Sequence, residues 1–298
     1  MKNIVVLGSI NTDFVIQTPR FPRVGETVLG EEYKVHYGGK GANQAIAAAR
    51  LGSNVSMIAR VGNDSYGKSA IQNLEKQSVN VNSIAVDDNA PSGVAFVIID
   101  DSGNNSIIVS PGANHQIGIS DLEQAKELFT KDTILITQFE IALPTVIAGI
   151  KLAKSRGSHV ILNPSPIMKL DAQVYQMVDT LILNETELQT ISQSEDIDVG
   201  LHAIKQLGIK QIILTLGKNG CILFQNDQKS NFPSYKVKVV DTTGAGDAFI
   251  GGFSTALSEG QDLFTACKWG NAAGAIATTF SGAQTSLPNR MQIFELID

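Results

Sequence analysis

Apolar runs recur along the chain, each ending in polar or glycine-rich residues and each followed by a stretch rich in small or amphipathic positions. Ile4 to Leu7 is apolar at every position, the pattern of a strand covered on both faces in a parallel sheet. The same rhythm of strand, turn and helix repeats from Val55 to Val61, Ile134 to Glu140, His159 to Pro166, Thr180 to Glu187 and Gln211 to Gly220. Helices are predicted over Ala45 to Leu51, Ser65 to Gln77, Ala248 to Leu257 and Ala266 to Thr278. Alternation of this kind predicts an α/β fold with a mainly parallel central sheet.

Two regions break the rhythm. Pro19, Pro22 and Gly25 exclude a helix between residues 14 and 37, leaving Phe14 to Ile16 and Tyr33 to Tyr37 as short strands. Gly93 to Ile99 and Asn105 to Val109 form a second pair, joined by the turn Asp100 to Asn104. Strands within about 12–38 and 92–112 are therefore expected to form a small β-sheet lid standing off the main body, a device that excludes water from a reacting group.

Composition narrows the function. A chain of 298 residues, 43% hydrophobic and 17% charged, has the make-up of a soluble globular protein. A net charge of −6 argues against binding nucleic acid through its backbone. Cys221 and Cys267 lack metal or redox spacing and are expected to be buried in a reducing compartment. The four apolar residues after Asn3 are too few for a signal peptide, and no run suits a membrane span, so a cytoplasmic location is expected.

The most informative stretch is Asp241-Thr242-Thr243-Gly244-Ala245-Gly246-Asp247-Ala248-Phe249, expected to run from a strand over Tyr235 to Val240 into a helix. Amides of Gly244, Ala245 and Gly246 at a helix start make an anion hole, reinforced by the helix dipole. Asp247 at the same mouth would repel a phosphate held against it, so it suits a base facing an incoming hydroxyl. It reads also as a capping or charge-complementing residue. After the first strand, Asn11 and Asp13 share one side of an extended segment, where an amide and a carboxylate suit vicinal hydroxyls, or else an Asx turn. Gly38-Gly39-Lys40-Gly41-Ala42-Asn43-Gln44-Ala45 lacks Walker A spacing, yet Lys40 and Asn43 add polar groups for a sugar or phosphate that a simple tight turn would not need. Asn184 and Glu187 read equally as a site for hydrated Mg2+ and as a capping box. Gly8-Ser9-Ile10-Asn11 does not match G-x-G-x-x-G, which disfavours a dinucleotide-binding dehydrogenase.

These strings together resemble the signatures of the ribokinase-like (PfkB) carbohydrate kinases, over nearly the whole chain from Gly8 to Ser286. The resemblance implies a single three-layer α/β/α domain over residues 1–298 and an ATP-dependent kinase acting on the 5-hydroxyl of D-ribose. Asp247 would be the base, with Asn11, Asp13, Gly39, Lys40, Asn43 and Glu140 holding the sugar. Asn184 and Glu187 would serve Mg2+ and phosphate, and Thr215, Gly217, Lys218, Gly220, Gly246 and Asn271 the nucleotide. Asp241, Thr243, Ala277, Phe280, Gly282 and Ser286 would surround an activating K+, several through backbone carbonyls. A kinase of deoxyribose, another sugar or a nucleoside, and a sugar sensor without turnover, are the competing expectations. Edges of an exposed lid sheet suggest a homodimer paired through it.

Overall fold

The apolar runs become neighbours in one large sheet in the computed structural model, which describes residues 1–297. The strands are β1 (Asn3–Leu7), β2 (Asn11–Thr18), β3 (Lys34–Gly38), β4 (Val55–Gly62), β5 (Val79–Asp87), β6 (Gly93–Asp100), β7 (Asn105–Ser110), β8 (Thr133–Thr137), β9 (His159–Leu162), β10 (Thr180–Asn184), β11 (Gln211–Thr215), β12 (Cys221–Gln225) and β13 (Gln228–Phe232). The helices are α1 (Lys40–Arg50), α2 (Ser65–Lys76), α3 (Ile119–Gln124), α4 (Leu143–Ser155), α5 (Ala172–Tyr175), α6 (Glu185–Ser192), α7 (Ile197–Gln206), α8 (Ala245–Ser258), α9 (Leu263–Ala277) and α10 (Arg290–Ile297). The nine-stranded sheet runs β13-β12-β11-β10-β9-β8-β1-β4-β5. Its strands from β11 to β5 are parallel, and β12 and β13 close one edge in antiparallel register.

Runs that are apolar throughout feed two cores by alternation. Ile4, Val6, Ile134, Ile136, Ile182 and Ile213 face one core, formed with α1, α2, α8, α9 and α10. Val5, Leu7, Leu135, Leu181, Leu183, Ile212 and Leu214 face the other, formed with α3 to α7. Each such side chain, fully buried, contributes about 1.5–3 kcal/mol through the hydrophobic effect. Three layers result, and the polar residues that follow each parallel strand collect along one rim of the sheet.

A second, four-stranded sheet runs β3-β2-β6-β7, with β2 and β6 parallel and both outer pairs antiparallel. Asn11, Asp13, Val15 and Gln17 alternate onto its inner face, where they line a cavity. Phe14, on the outer face, stacks on Phe96 at 5.5 Å.

The expected strand from Tyr235 to Val240 does not form. Val239 and Val240 are mostly exposed, so their alternation has no surface to bury, and the Val240 amide bonds Thr278 instead of a neighbouring strand. Three helices begin earlier than their apolar content suggests, the ninth at Leu263 behind the Asp262 side-chain cap. The first starts at Lys40 because Gly39, at φ 89°, breaks the chain there, and the eighth starts at Ala245 after Gly244 in the left-handed region. The edge strands β5 and β13 carry too many polar residues to stand out as buried runs, whereas β12, buried at four of its five positions, follows the turn after β11 as a short antiparallel return. Both cysteines are buried, and among the described residues no helix is long and apolar enough to cross a membrane.

Close contact between α1 and α8 has the largest bearing on the site. A Cβ at Gly251 would lie 2.4 Å from the Cβ of Ala47 and 2.9 Å from the Ala48 amide nitrogen. Gly251→Val is therefore expected to lower the unfolding free energy by about 1–3 kcal/mol through overpacking. Denaturant titration checks this, and an unchanged midpoint would contradict the contact.

Candidate active site

Two cavities open along the rim of the main sheet and share a wall. One, of about 510 Å3, lies between the small sheet and the main body and is lined by Asn11, Asp13, Gly39, Lys40, Asn43, Glu140 and Asp247 together with Asp241, Thr243 and Gly282. The other, of about 270 Å3, is lined by Asn163, Ser165, Asn184, Glu187, Thr215, Thr242 and Gly246. Lys40, Gly244 and Asp247 line both.

Asp247 occupies the first turn of α8 and is only 7% exposed. Asn43 Nδ2 donates to its Oδ2 at 2.9 Å and Gln44 Nε2 to its Oδ1 at 2.9 Å. Burial pushes the Asp247 pKa up, with the Glu140 charge adding to it, while the Lys40 ammonium and the two amide donors pull against the rise. Burial also disfavours the Lys40 ammonium, but the Asp247, Glu140 and Glu187 carboxylates outweigh it and hold Lys40 above its usual range. The lysine thus stands between three carboxylates at the meeting of the cavities.

Around the larger cavity the groups are held by small residues. Glu140 Oε2 accepts from the Lys40 amide at 2.9 Å and from the Ser9 hydroxyl at 2.5 Å. Asn114, buried and reached from β7 through a short turn, accepts from the Ile10 amide at 2.9 Å and donates to Asn11 Oδ1 at 2.8 Å. That bond leaves the Asn11 amide nitrogen to face the cavity. A Cβ at Gly38 would stand 2.1 Å from Asp13 Oδ2, and one at Gly93 would stand 2.5 Å from Asn11 Oδ1. Ser9, Gly38, Gly93 and Asn114 support these groups, and motif spacing alone does not pair them with the residues they touch, since those partners are remote in sequence. Burial, reinforced by Glu140 and Asp247, raises the Asp13 pKa to about 7.

In the smaller cavity the capping box forms. Asn184 Oδ1 accepts from the Glu187 amide at 2.8 Å, and Glu187 Oε2 accepts from the Asn184 amide at 2.9 Å. Capping engages the only side-chain oxygen of Asn184 and one of the two of Glu187, leaving Glu187 Oε1 without a protein donor among the described residues, so the cap does not exclude a ligand at Glu187. The amide of Ala245 closes its own turn onto Thr242 O at 3.2 Å, so it is spent locally. Gly244 and Gly246 keep amides with no backbone acceptor among the described residues, and a Cβ at Gly246 would meet open space.

The other expected positions are spread out. Thr215 lines the smaller cavity, whereas Gly217, Lys218, Gly220 and Asn271 lie outside the walls of both. A Cβ at Gly220 would lie 1.9 Å from Phe232 O, and Asn271 Nδ2 donates to that same carbonyl at 3.0 Å, so both shape the turn after β13. Asp241 ties two loops together, accepting from Thr243 N at 2.9 Å and Gly282 N at 2.8 Å. Burial disfavours its charge, but these amides hold its pKa below the usual range. Ser286 Oγ bonds Ala283 O at 2.8 Å, and Ala277 and Phe280 stand outside the larger cavity's wall. Among the described residues no three His, Cys, Asp or Glu side chains converge as a metal site.

A mainly parallel α/β sheet with a buried carboxylate joining two polar cavities defines a transferase-like site. Residues 1–290 match the pfkB family of carbohydrate kinases, and the chain belongs to that family. It is 35% identical to a ribokinase of Haemophilus influenzae over all of this chain and 99% of the relative. It is 34% identical to a deoxyribokinase of Salmonella typhi over 99% of this chain and 98% of the relative. It is also similar to the structure of Arabidopsis thaliana ribokinase complexed with ribose and ATP, at 30% identity and TM-score 0.90, covering 99% of this chain and 98% of that one.

The raised Asp13 pKa fixes the sign of a pH effect. Between the ordinary value of 3.8 and about 7 the folded protein holds a proton that the unfolded chain has released, so stability falls as pH rises through that window. Asp13→Asn is expected to stabilise the unliganded protein at pH 8, by about 1–3 kcal/mol, and to leave it nearly unchanged at pH 4. Denaturant midpoints at the two pH values measure the difference, and a difference independent of pH would contradict the assignment.

Proposed function

We propose that this chain transfers the γ-phosphoryl of ATP to the 5-hydroxyl of D-ribose, giving D-ribose 5-phosphate. The observation that carries the proposal is the wall of Lys40, Gly244 and Asp247 common to two cavities, since a direct transfer needs acceptor and donor to meet at one point. Ribose occupies the larger cavity beneath the small sheet. Asn11, oriented by Asn114, donates to a sugar hydroxyl, and Asp13 accepts from its neighbour. Gly39, Asn43 and Glu140 complete the pocket. ATP lies along the rim with its phosphates toward the smaller cavity and Thr215. Lys218 and Asn271 flank the nucleotide further out.

Asp247 removes the proton of the 5-hydroxyl as its oxygen attacks the γ-phosphorus and the bond to the ADP oxygen breaks. Amides of Gly244 and Gly246, at the positive end of α8, receive the charge spread over the phosphoryl oxygens, and Lys40 neutralises it from the sugar side. The oxygen set at Asn184 and Glu187 suits a largely hydrated Mg2+, which when bound would neutralise ATP phosphate charge. The single carboxylate of Asp241, with the carbonyls of Thr243, Ala277, Phe280, Gly282 and Ser286, suits a monovalent cation such as K+. Exposed Ile107, Ile108 and Val109 on the edge strand β7 support association of two copies through the small sheet.

The near-equal likeness to a deoxyribokinase supports 2-deoxyribose as a second acceptor. A site that bonds the 2-hydroxyl rejects the analogue lacking it, so kcat/KM is expected to favour ribose by at least about 100-fold. Equal values for the two sugars would overturn the choice of ribose. Asp247→Asn is expected to lower kcat by about two to four orders of magnitude while ribose affinity changes little. Turnover retained in that variant, measured as ribose-dependent ADP formation, would refute the proposed base.

A further inference from the structure

Gln44 and Gln138 are both 0% exposed and line neither cavity, so neither touches a bound sugar or nucleotide. They nevertheless form a chain that ends on the reacting group. Gln138 Nε2 donates to Gln44 Oε1 at 2.5 Å, and Gln44 Nε2 donates to Asp247 Oδ1 at 2.9 Å. Its direction is fixed at one end, because a carboxylate only accepts and Gln44 must therefore turn its Nε2 toward Asp247. The Gln44 oxygen then faces the interior, where Gln138 supplies the donor.

Room for this chain is made by glycines. A Cβ at Gly8 would lie 2.3 Å from Gln138 Oε1 and 2.8 Å from Gly41 Cα. Gln138 Oε1 itself has no hydrogen-bond partner among the described residues. A leucine or methionine pair of similar volume would fill the same space without leaving that acceptor unpaired. A costly polar arrangement in a core calls for a purpose beyond packing.

We propose that Gln44, held in place by Gln138, is a positioning residue that fixes the Asp247 carboxylate for proton removal and keeps it in its charged form. Asn43 reaches Oδ2 from the cavity wall, so the two neighbouring amides of α1 grip the two oxygens separately. With one oxygen on each donor the carboxylate is held in one orientation at the wall that lines both cavities. Without Gln44, burial acts on Asp247 with one fewer opposing bond.

This inference rests on the proposed role of Asp247, and its test separates the two. Gln44→Leu, Gln138→Met and the double variant are assayed for ribose-dependent ADP formation from pH 5 to 9, with thermal melts to confirm folding. Gln44→Leu is expected to lower kcat about 10- to 100-fold, to leave KM for ribose within about 3-fold, and to move the acidic limb of kcat upward by about one pH unit. Gln138→Met should shift the limb in the same direction by less, and the double variant should be no slower than Gln44→Leu within about 3-fold, because the two act in series. Should Gln44→Leu fail to fold, the limb in Gln138→Met decides the matter alone. A folded variant with an unmoved limb, or losses that multiply in the double variant, would overturn the relay. If Asp247→Asn abolishes turnover while these variants leave the limb in place, only the relay fails. If Asp247→Asn retains turnover, the proposed base fails first.

Discussion

A carboxylate shut almost entirely away from water is the constraint around which this molecule is arranged. Burial alone would drive Asp247 to its neutral form, useless as a base. The structure opposes that with side-chain amides from α1, the ammonium of Lys40 and a seat in the first turn of α8. Each opposing group depends on α1 lying close against α8, and that closeness depends on glycine and alanine where the helices cross. Small residues in the core thus have an electrostatic consequence.

The parallel sheet supplies the rest by placement. Residues just beyond β1, β8, β9, β10 and β11 come from distant parts of the sequence, yet all emerge along one rim. The larger cavity draws mainly on the first half of the chain and the small sheet, with Asp241 to Asp247 and Ser281 to Ala283 added from the second. The smaller cavity draws on the second half, apart from Lys40. Their meeting at Lys40 and Asp247 brings residues 207 positions apart into one electrostatic unit, and each half lacks the chemistry to act alone.

How much of this is legible in the sequence depends on whether a signal is local. Buried parallel strands announce themselves because both faces need apolar residues, and the small sheet is marked by proline, glycine and a hairpin turn. The glycine turn before Asp247 and the pair Asn11 and Asp13 are legible for the same reason. Tyr235 to Val240 misleads, because alternation shows only that one face could be buried and not that a surface exists to cover it. Edge strand β13 passes unnoticed, being polar at four of its five positions, and β12, though apolar, is too short a run to be told from the turn it follows. At the site, Asn114 behind Asn11, Ser9 beneath Glu140 and Gln138 behind Gln44 are supporting contacts 103, 131 and 94 positions apart. No periodicity or spacing reveals such pairs, since the fold itself creates them.

The central claim is that Asp247 takes a proton from the sugar while the adjoining amides receive the phosphoryl. A crystal structure with ribose and a non-hydrolysable ATP analogue tests it most directly. The account predicts the 5-hydroxyl within about 3 Å of an Asp247 carboxylate oxygen and the γ-phosphate against the Gly244 and Gly246 amides. An Asp247 carboxylate more than about 5 Å from every sugar hydroxyl, with no water between them, would contradict it.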